Sequence, residues 1–432
     1  DEVLPYYERL VRRVMALIRS ESIEVIEAAC NALAYLFKYL AKNLIADLRP
    51  TFTLMAPMLG VERQRGHIRR FVAESMAFMV RKLRGDGLQQ FTQHVIHSML
   101  ECPPNRLEGF RDGVALLYFE CMRGVDSQLY SRAPAMLTAL LRELYKEAPT
   151  GRRLEDNDVY VLVASVLKLC LHYAKREPCQ PLWVVLLAEY DAKARAVAET
   201  PTGSAQPLAC LLGLLATATL VRKGSRVSDY QPLLQRCATA FTIAQSLPAD
   251  IDSDTAVALA HERVKLLVGL LLQSDFADVI STGKVLLDTV FACEPLPALL
   301  SMATTLARLE WTQWNQVLLP YLVRLTVSNW ATDSMALLLF WAELFQQGLF
   351  KTQTGTASSV VTSRGQILFP VATGDAAQNS VPRALLDWLA SPVDWPDVSS
   401  QPQLLPADEG GAFVGFGDGD QDMVDESNSS SR

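Results

Sequence analysis

The sequence predicts an all-α fold made of stacked helix pairs, and three observations support this prediction. Half of the 432 residues are hydrophobic and 20% are charged, a balance typical of a globular chain with a large core. Apolar residues recur with the period of an α-helix along most of residues 1–350. No segment combines period-2 alternation with hairpin turns, so we do not expect an α/β enzyme fold.

The helical period is clear in the segment around residues 33–44. At 100° per residue, one face of the predicted helix carries an apolar stripe. This stripe consists of Leu33, Leu36, Phe37, Leu40 and Leu44. The opposite face carries Tyr35, Lys38 and Lys42. One helix with a buried apolar face and a basic outer face therefore explains the mixed composition.

The boundary with the next helix is predicted at Asp47 and Pro50. Asp47 has the side chain of an N-cap residue, which accepts a hydrogen bond from a first-turn N–H group. Pro50 then falls in the first turn, where the missing N–H group of proline would have no partner within the helix. We therefore expect a new helix to begin at this point.

The pattern repeats about every 40 residues over residues 1–150. The first helix of each pair is expected to begin near Leu4, Asp47, Leu88 and Ser127. The second helix is expected to begin near Ser22, Gly66, Asn105 and Glu155. Two helices per unit of about 40 residues are typical of HEAT and armadillo repeats. We therefore predict a HEAT/armadillo-type α-solenoid whose regular repeats occupy residues 1–150.

Two further regions are predicted downstream. Residues 151–350 continue the helical solenoid with less regular spacing. The expected helices cover residues 156–175, 182–197, 208–222, 231–246, 254–272, 276–291, 296–308, 311–327 and 332–350. Residues 351–432 are rich in Gly, Ser, Thr, Pro and Asp. This composition predicts an acidic low-complexity linker or tail with one short helix at residues 382–390.

The formal net charge of −7 is unevenly distributed. Nine acidic residues and one basic residue follow residue 390, so residues 1–390 carry a net charge of about +1. Residues 62–84 contain seven Lys or Arg and two Asp or Glu. The basic side chains are therefore concentrated near the beginning of the chain.

Two basic stripes make candidate contacts with the phosphates of RNA. On the helix around Ile68, Arg70, Arg81 and Arg84 fall on the face opposite the apolar stripe. Nucleic-acid phosphates bind to stripes of Lys and Arg. A charged outer face of a helix is, however, often only solvated. The predicted RNA-phosphate contacts are Lys38, Lys42, Arg70, Arg81 and Arg84.

No catalytic, cofactor or metal site is predicted. His94, His97 and Cys102 have metal-ligand spacing, but no fourth ligand accompanies them, so an ordinary helix surface explains them better. The stretch STGKVLL ends like a phosphate-binding loop, yet Asp278 stands where that loop needs glycine and Val285 where it needs Ser or Thr. We therefore expect neither an enzyme nor a protein with a small-molecule substrate.

The cellular environment is predicted from the cysteines and the longest apolar run. The eight cysteines form no Cys-x-x-Cys pair, which favours a reducing intracellular compartment. The apolar run from Pro207 to Val221 is shorter than a membrane span, so we expect no membrane association.

Three segments together resemble one known protein family. They are ALAYLFKYLAKNLIADL, HIRRFVAESMAFMVRKL and LEGFRDGVALLYFECMRGV, in this order, within residues 23–125. They resemble consecutive segments of the Down-Regulated-In-Metastasis family, the giant HEAT-repeat component of the small-subunit processome. The resemblance implies a non-catalytic scaffold of the nucleolus and nucleus. The implied partners are pre-rRNA, the U-three small nucleolar ribonucleoprotein and other processome proteins.

A second interpretation belongs to a different functional class. Residues 1–390 are close to neutral, and repeat folds by themselves say little about function. A protein-only HEAT adaptor, such as a nuclear transport receptor or a kinase-associated scaffold, is therefore the alternative hypothesis.

Overall fold

The computed structural model confirms the predicted all-α solenoid. It describes residues 4–18, 20, 22–39, 44–60, 66–146, 153–199, 201–221, 231–245, 253–273, 284–309, 311 and 317–346. Among these residues, the only backbone pairing of β type is one isolated antiparallel bridge between Arg123 and Leu129. The chain divides into two compact units, Asp1–Thr289 and Val290–Arg432.

The first unit is a two-layer stack of helices. Its helices are α1 (Tyr7–Leu17), α2 (Ile23–Tyr39), α3 (Leu44–Leu59), α4 (Gly66–Val80), α5 (Asp86–Leu100), α6 (Pro104–Met122), α7 (Ala133–Lys146), α8 (Asp158–Tyr173), α9 (Arg176–Glu199), α10 (Pro201–Val221), α11 (Gln231–Gln245) and α12 (Ser253–Gln273). Consecutive helices pack as pairs, from α1 with α2 to α11 with α12. The second helices α2, α4, α6, α8, α10 and α12 pack side by side in one layer, and α3, α5, α7, α9 and α11 form the other. This arrangement is a helical-repeat solenoid.

The predicted apolar stripe of α2 is confirmed where the structure describes it. Leu33, Leu36 and Phe37 are buried, whereas Tyr35 and Lys38 on the opposite face are exposed. Helix α2 ends at Tyr39, and Leu40 and Lys42 lie outside the described residues.

The predicted N-cap at Asp47 is wrong, because α3 begins at Leu44 and contains Pro50 and Pro57. A different feature determines this helix, namely an apolar stripe at helical spacing. It consists of the buried residues Leu48, Phe52, Met55 and Leu59. Burial of this stripe outweighs the intrahelical hydrogen bond that proline removes.

Small residues let neighbouring helices approach closely. Ser75 of α4 is buried and donates its Oγ–H group to the carbonyl oxygens of Cys30 in α2 and of Phe71, both at 2.8 Å. A Cβ atom on Gly113 of α6 would collide with the backbone carbonyl of Leu59. Glycine at position 113 is therefore required by the close approach of α6 to the end of α3.

The second unit contains helices α14 (Leu296–Arg308) and α15 (Leu319–Gln346), and α13 (Lys284–Cys293) spans the boundary between the units. The segment α15 consists of two helices joined at a kink with non-helical backbone angles at Asp333, close to the boundary predicted between residues 327 and 332. An ion pair of 2.6 Å joins Arg308 of α14 to Glu343 of α15. Residues 351–432, including the predicted short helix and the acidic segment, lie outside the described residues.

Candidate nucleic-acid interface

Helices α2, α4, α6 and α8 end at the same edge of the solenoid, which we call the C-terminal edge. Lys82, two residues after α4, donates hydrogen bonds to the carbonyl oxygens of Phe37 and Lys38 at the end of α2. Tyr173, the last residue of α8, donates its hydroxyl proton to the carbonyl oxygen of Gly124, just beyond α6, at 3.2 Å. These contacts between neighbouring repeats place the four helix ends side by side.

The C-terminal edge attracts cations for a general reason. The last four carbonyl groups of a helix have no partner within it, and the helix dipole leaves partial negative charge there. Several parallel helix ends side by side therefore favour Lys and Arg. The sequence supplies such residues after α4 and immediately before α7.

Arg81 binds the end of the neighbouring helix α6. Its Nη2 atom lies 2.5 Å from the carbonyl oxygen of Glu120 and 2.6 Å from that of Arg123. Its Nε atom lies 3.2 Å from the carbonyl oxygen of Cys121. A single guanidinium group thus satisfies three carbonyls at the end of α6, as a C-terminal cap supplied by the preceding repeat.

Arg132 and Lys82 act in the same way on other helix ends. Arg132 Nη1 donates to the carbonyl oxygens of Leu83 at 2.8 Å and Arg81 at 3.2 Å, beyond the end of α4. Lys82 Nζ lies 2.7 Å from the carbonyl oxygen of Phe37, and partial burial lowers the pKa of this lysine. Cations at this edge therefore connect α2, α4 and α6 through side-chain contacts with the backbone.

Three of the predicted phosphate contacts lie at the C-terminal edge. Lys38 is exposed in the last turn of α2, and its Nζ atom lies 5.8 Å from the ring centroid of Phe78. Arg84 is exposed in the turn between α4 and α5. Arg81 is half-buried because of its contacts with α6. Phosphate binding by these three residues stays a prediction.

Arg70 is separated from these residues, and Lys42 lies outside the described residues. Arg70 is in the first turns of α4, and the eleven residues from it to Arg81 span about 16 Å along a helix axis. Its guanidinium pairs with Glu74 at 3.1 Å. Phosphate binding by Arg70 and Lys42 also stays a prediction.

The prediction of one arginine stripe on a single helix is wrong. Helix α4 ends at Val80, so Arg81 and Arg84 lie in the turn that follows it. The chain then passes through Gly85, whose φ of 47° is in the left-handed region that glycine adopts readily. Glycines at positions 85 and 87 indicate in the sequence that the helix ends here. Hydrophobic periodicity alone does not register this signal.

The histidines with metal-ligand spacing make contacts of other kinds. The ring of His94 packs edge-on against Phe52 with centroids 5.6 Å apart, and burial lowers the pKa of His94. His97 lies 3.1 Å from Glu101 on the helix surface. Within the described part of the chain, no group of three or more His, Cys, Asp or Glu side chains could hold a metal ion. None of the helices described combines the length and the apolar character needed to cross a membrane.

Comparisons with known proteins identify two curated relatives. The chain is 27% identical over 229 residues to U3 small nucleolar RNA-associated protein 20 of Schizosaccharomyces pombe, which covers 53% of this chain. It is 29% identical over 195 residues to the protein of the same name from Saccharomyces cerevisiae, which covers 44% of this chain. The matched regions are 8% and 7% of the lengths of these relatives. No protein-family model matches the chain.

Proposed function

We propose that this chain, which belongs to the family of U3 small nucleolar RNA-associated protein 20, is a scaffold segment of the small-subunit processome. The two fungal relatives confirm the resemblance to this family. On this proposal the segment acts in ribosome biogenesis in the nucleolus and nucleus. It holds pre-rRNA, the U3 small nucleolar ribonucleoprotein and neighbouring assembly factors in position, and it carries out no catalysis.

The observation that carries the proposal is the cationic C-terminal edge. Lys38, Lys82 and Arg84 are exposed on neighbouring repeats, and Arg81 and Arg132 lie beside them. Polyanionic RNA is attracted to such a row because binding releases condensed counterions. The solenoid holds the row at fixed spacing, so its contribution would be geometry and charge.

Charge reversal at the edge tests the proposal. We choose the double variant Lys38→Glu/Arg84→Glu, because both side chains are exposed and neither supplies the helix caps described above. It should weaken the binding of a pre-rRNA fragment by about tenfold or more and reduce the slope of log K against log salt by about 2. The measurement is fluorescence anisotropy of labelled RNA over a series of salt concentrations.

A matched control uses arginines that are also exposed but lie elsewhere on the solenoid. Arg106 lies at the beginning of α6, away from the C-terminal edge, and Arg142 lies in α7 of the other layer. Arg106→Glu/Arg142→Glu changes the net charge by the same amount, so it isolates position from total charge. Equal loss in the two double variants would contradict the edge as the RNA site. Isolation of the full-length protein with cargo proteins but without ribosomal precursor RNA would favour the protein-only adaptor.

Arg81 is left out of the double variant. Reversing its charge would break the cap on α6, so a loss of RNA binding could follow from a change of structure. Arg70→Glu is the corresponding test for the phosphate contact predicted at the start of α4. This variant should leave the fold intact, because Arg70 is exposed and its pair with Glu74 lies at the helix surface.

A further inference from the structure

A row of aromatic side chains runs along the C-terminal edge. Counted from the helix starts, Tyr35 of α2 and Phe78 of α4 occupy the same position, and Phe119 of α6 and Tyr173 of α8 occupy the same position. The rings of Phe119 and Tyr173 meet edge to face with centroids 5.5 Å apart. Four successive second helices therefore each place one aromatic ring close to their C-terminal end.

These rings lie outside the core of the solenoid. Tyr35 is 63% exposed, and Phe78, Phe119 and Tyr173 are half-buried. The core of the same helices is filled by other large side chains. Among these are Leu33, Phe37, Met76, Met79, Leu117, Tyr118, Leu167 and Leu171. Packing inside the helix layers therefore does not account for an exposed aromatic residue at position 35.

The rings alternate with cations along the edge. Lys38 Nζ and Arg81 Cζ lie 5.8 Å and 5.7 Å from the centroid of the Phe78 ring. Arg81 Cζ also lies 5.5 Å from the centroid of the Tyr130 ring. Aromatic faces beside positive charge are the combination with which proteins bind single-stranded nucleic acid, since rings stack on bases and cations neutralise phosphates.

Two acidic side chains, one in α4 and one in α6, reduce the positive charge of the C-terminal edge locally. Glu74 pairs with Arg70 and Arg123, each at 3.1 Å, and Glu120 pairs with Arg123 at 2.8 Å. These pairs occupy Arg123, and Lys38, Lys82 and Arg84 are exposed cations at the ends of α2 and α4. The positive end of the row is therefore the α2–α4 end, where Tyr35 is also the most exposed ring.

We propose that Tyr35, Phe78 and the cations Lys38 and Arg84 form a stacking platform for unpaired RNA. This inference rests on the proposed function and adds the class of RNA. Neighbouring packed helices are about 8–10 Å apart, so bases on adjacent rings must be splayed, which a single strand allows. A duplex hides the faces of its bases and can use the cations alone. The platform is therefore specific for single strands and tolerant of sequence.

The experiment compares Tyr35→Ala with Tyr35→Phe in the complete 432-residue chain. The probes are a labelled 12-nucleotide oligoadenosine and a 12-base-pair RNA duplex. Loss of one stacked base should weaken binding of the oligoadenosine by about tenfold in Tyr35→Ala, with little change in the salt slope. Tyr35→Phe keeps the ring and should bind as the unchanged chain does. Both substitutions are at an exposed position, and circular dichroism melting verifies that the fold is retained.

Several results would overturn the platform. Binding of the oligoadenosine by Tyr35→Ala at the affinity of the unchanged chain would show that the ring makes no stacking contact. Duplex affinity equal to that for the single strand would show that charge alone is recognised. If Lys38→Glu/Arg84→Glu weakens RNA binding while Tyr35→Ala does not, the platform fails and the proposed function stands. If the unchanged chain binds neither probe nor pre-rRNA, both fail.

Discussion

Two regions of the first unit use charge in opposite ways. At the C-terminal edge, Arg81 contacts backbone carbonyls near the surface and remains half-exposed. Between α8, α10 and α12, Lys265 is only 8% exposed, and its Nζ atom lies 2.5 Å from Glu155 and 3.2 Å from Glu262. We call these last three residues the Lys265 cluster, in which Lys265 and Glu262 are buried and the Glu155 side chain is 39% exposed. The comparison shows that a cation near the surface can cap a helix end and stay accessible to solvent, whereas the buried ammonium group of Lys265 is compensated by carboxylates inside the fold.

The Lys265 cluster is held together by the attraction between the Lys265 ammonium group and the carboxylates of Glu155 and Glu262. Burial lowers the pKa of Lys265, but the adjacent carboxylates of Glu262 and Glu155 outweigh this and raise it overall. For Glu155, burial raises the pKa, and the ammonium group of Lys265 outweighs it, so that the pKa is lowered. Glu262 is 1% exposed, so its charge depends on Lys265 for compensation.

The largest effect is expected from breaking this cluster. Lys265→Met leaves the carboxylate of Glu262 buried without its ammonium partner and should lower the free energy of unfolding by about 3–5 kcal/mol. Arg70→Met is the matched control, because the side chains of the Arg70–Glu74 pair are 46% and 30% exposed, and it should lower stability by about 0–1 kcal/mol. Urea denaturation followed by circular dichroism measures both, and equal losses would contradict the contrast.

A smaller effect is expected at the C-terminal edge. Arg81→Met removes three hydrogen bonds to the carbonyls at the end of α6, but water can reach part of this site, so the loss should be about 1–3 kcal/mol. Arg70→Met removes one exposed pair with Glu74 and should lower stability by about 0–1 kcal/mol. The same denaturation experiment applies, and a loss in Arg70→Met as large as in Arg81→Met would show that capping is not what stabilises the edge.

The smallest effect is a dependence of stability on pH. Glu120 is 2% exposed, and burial raises its pKa to about 7 against the opposing pull of Arg123. A carboxyl whose pKa is higher in the folded chain than in the unfolded chain binds its proton preferentially in the folded chain. Stability should therefore increase by roughly 1 kcal/mol as the pH falls from 8 to 6.

The substitution Glu120→Gln isolates this contribution. The amide does not titrate, so the part of the pH dependence that arises from Glu120 should disappear between pH 6 and pH 8. Thermal unfolding of the variant and of the unchanged chain at both pH values measures the difference. The same pH dependence in the two chains would exclude Glu120 as its source.

The repeat architecture could be predicted because it depends on local periodicity. Apolar residues such as Leu33, Leu36 and Phe37 recur at helical spacing, and their burial follows from that spacing. The boundary at Asp47 and Pro50 was predicted wrongly, since capping residues are local signals that the stripe of buried side chains in α3 overrules. Periodicity thus predicts the presence of a helix more reliably than it predicts the residue at which the helix begins.

The roles of single charges could not be predicted from the sequence. Arg81 meets its carbonyl partners about 40 residues away in the chain, and Lys265 meets Glu155 at a separation of 110 residues. Such contacts depend on how the repeats stack. The aromatic row could have been found in part from the sequence, because Tyr35 lies on the face opposite the apolar stripe of α2 and Phe78, one repeat later, lies beside the apolar stripe of α4.

The most direct test of the central claim locates bound RNA on the chain. Single-stranded RNA is crosslinked to the protein with ultraviolet light, and the crosslinked peptides are identified by mass spectrometry. The account predicts crosslinks in the peptides that contain Tyr35 and Lys38 at the end of α2 and Phe78 and Arg84 after α4. Crosslinks confined to the beginning of α6 around Arg106, or to the other helix layer, would contradict it.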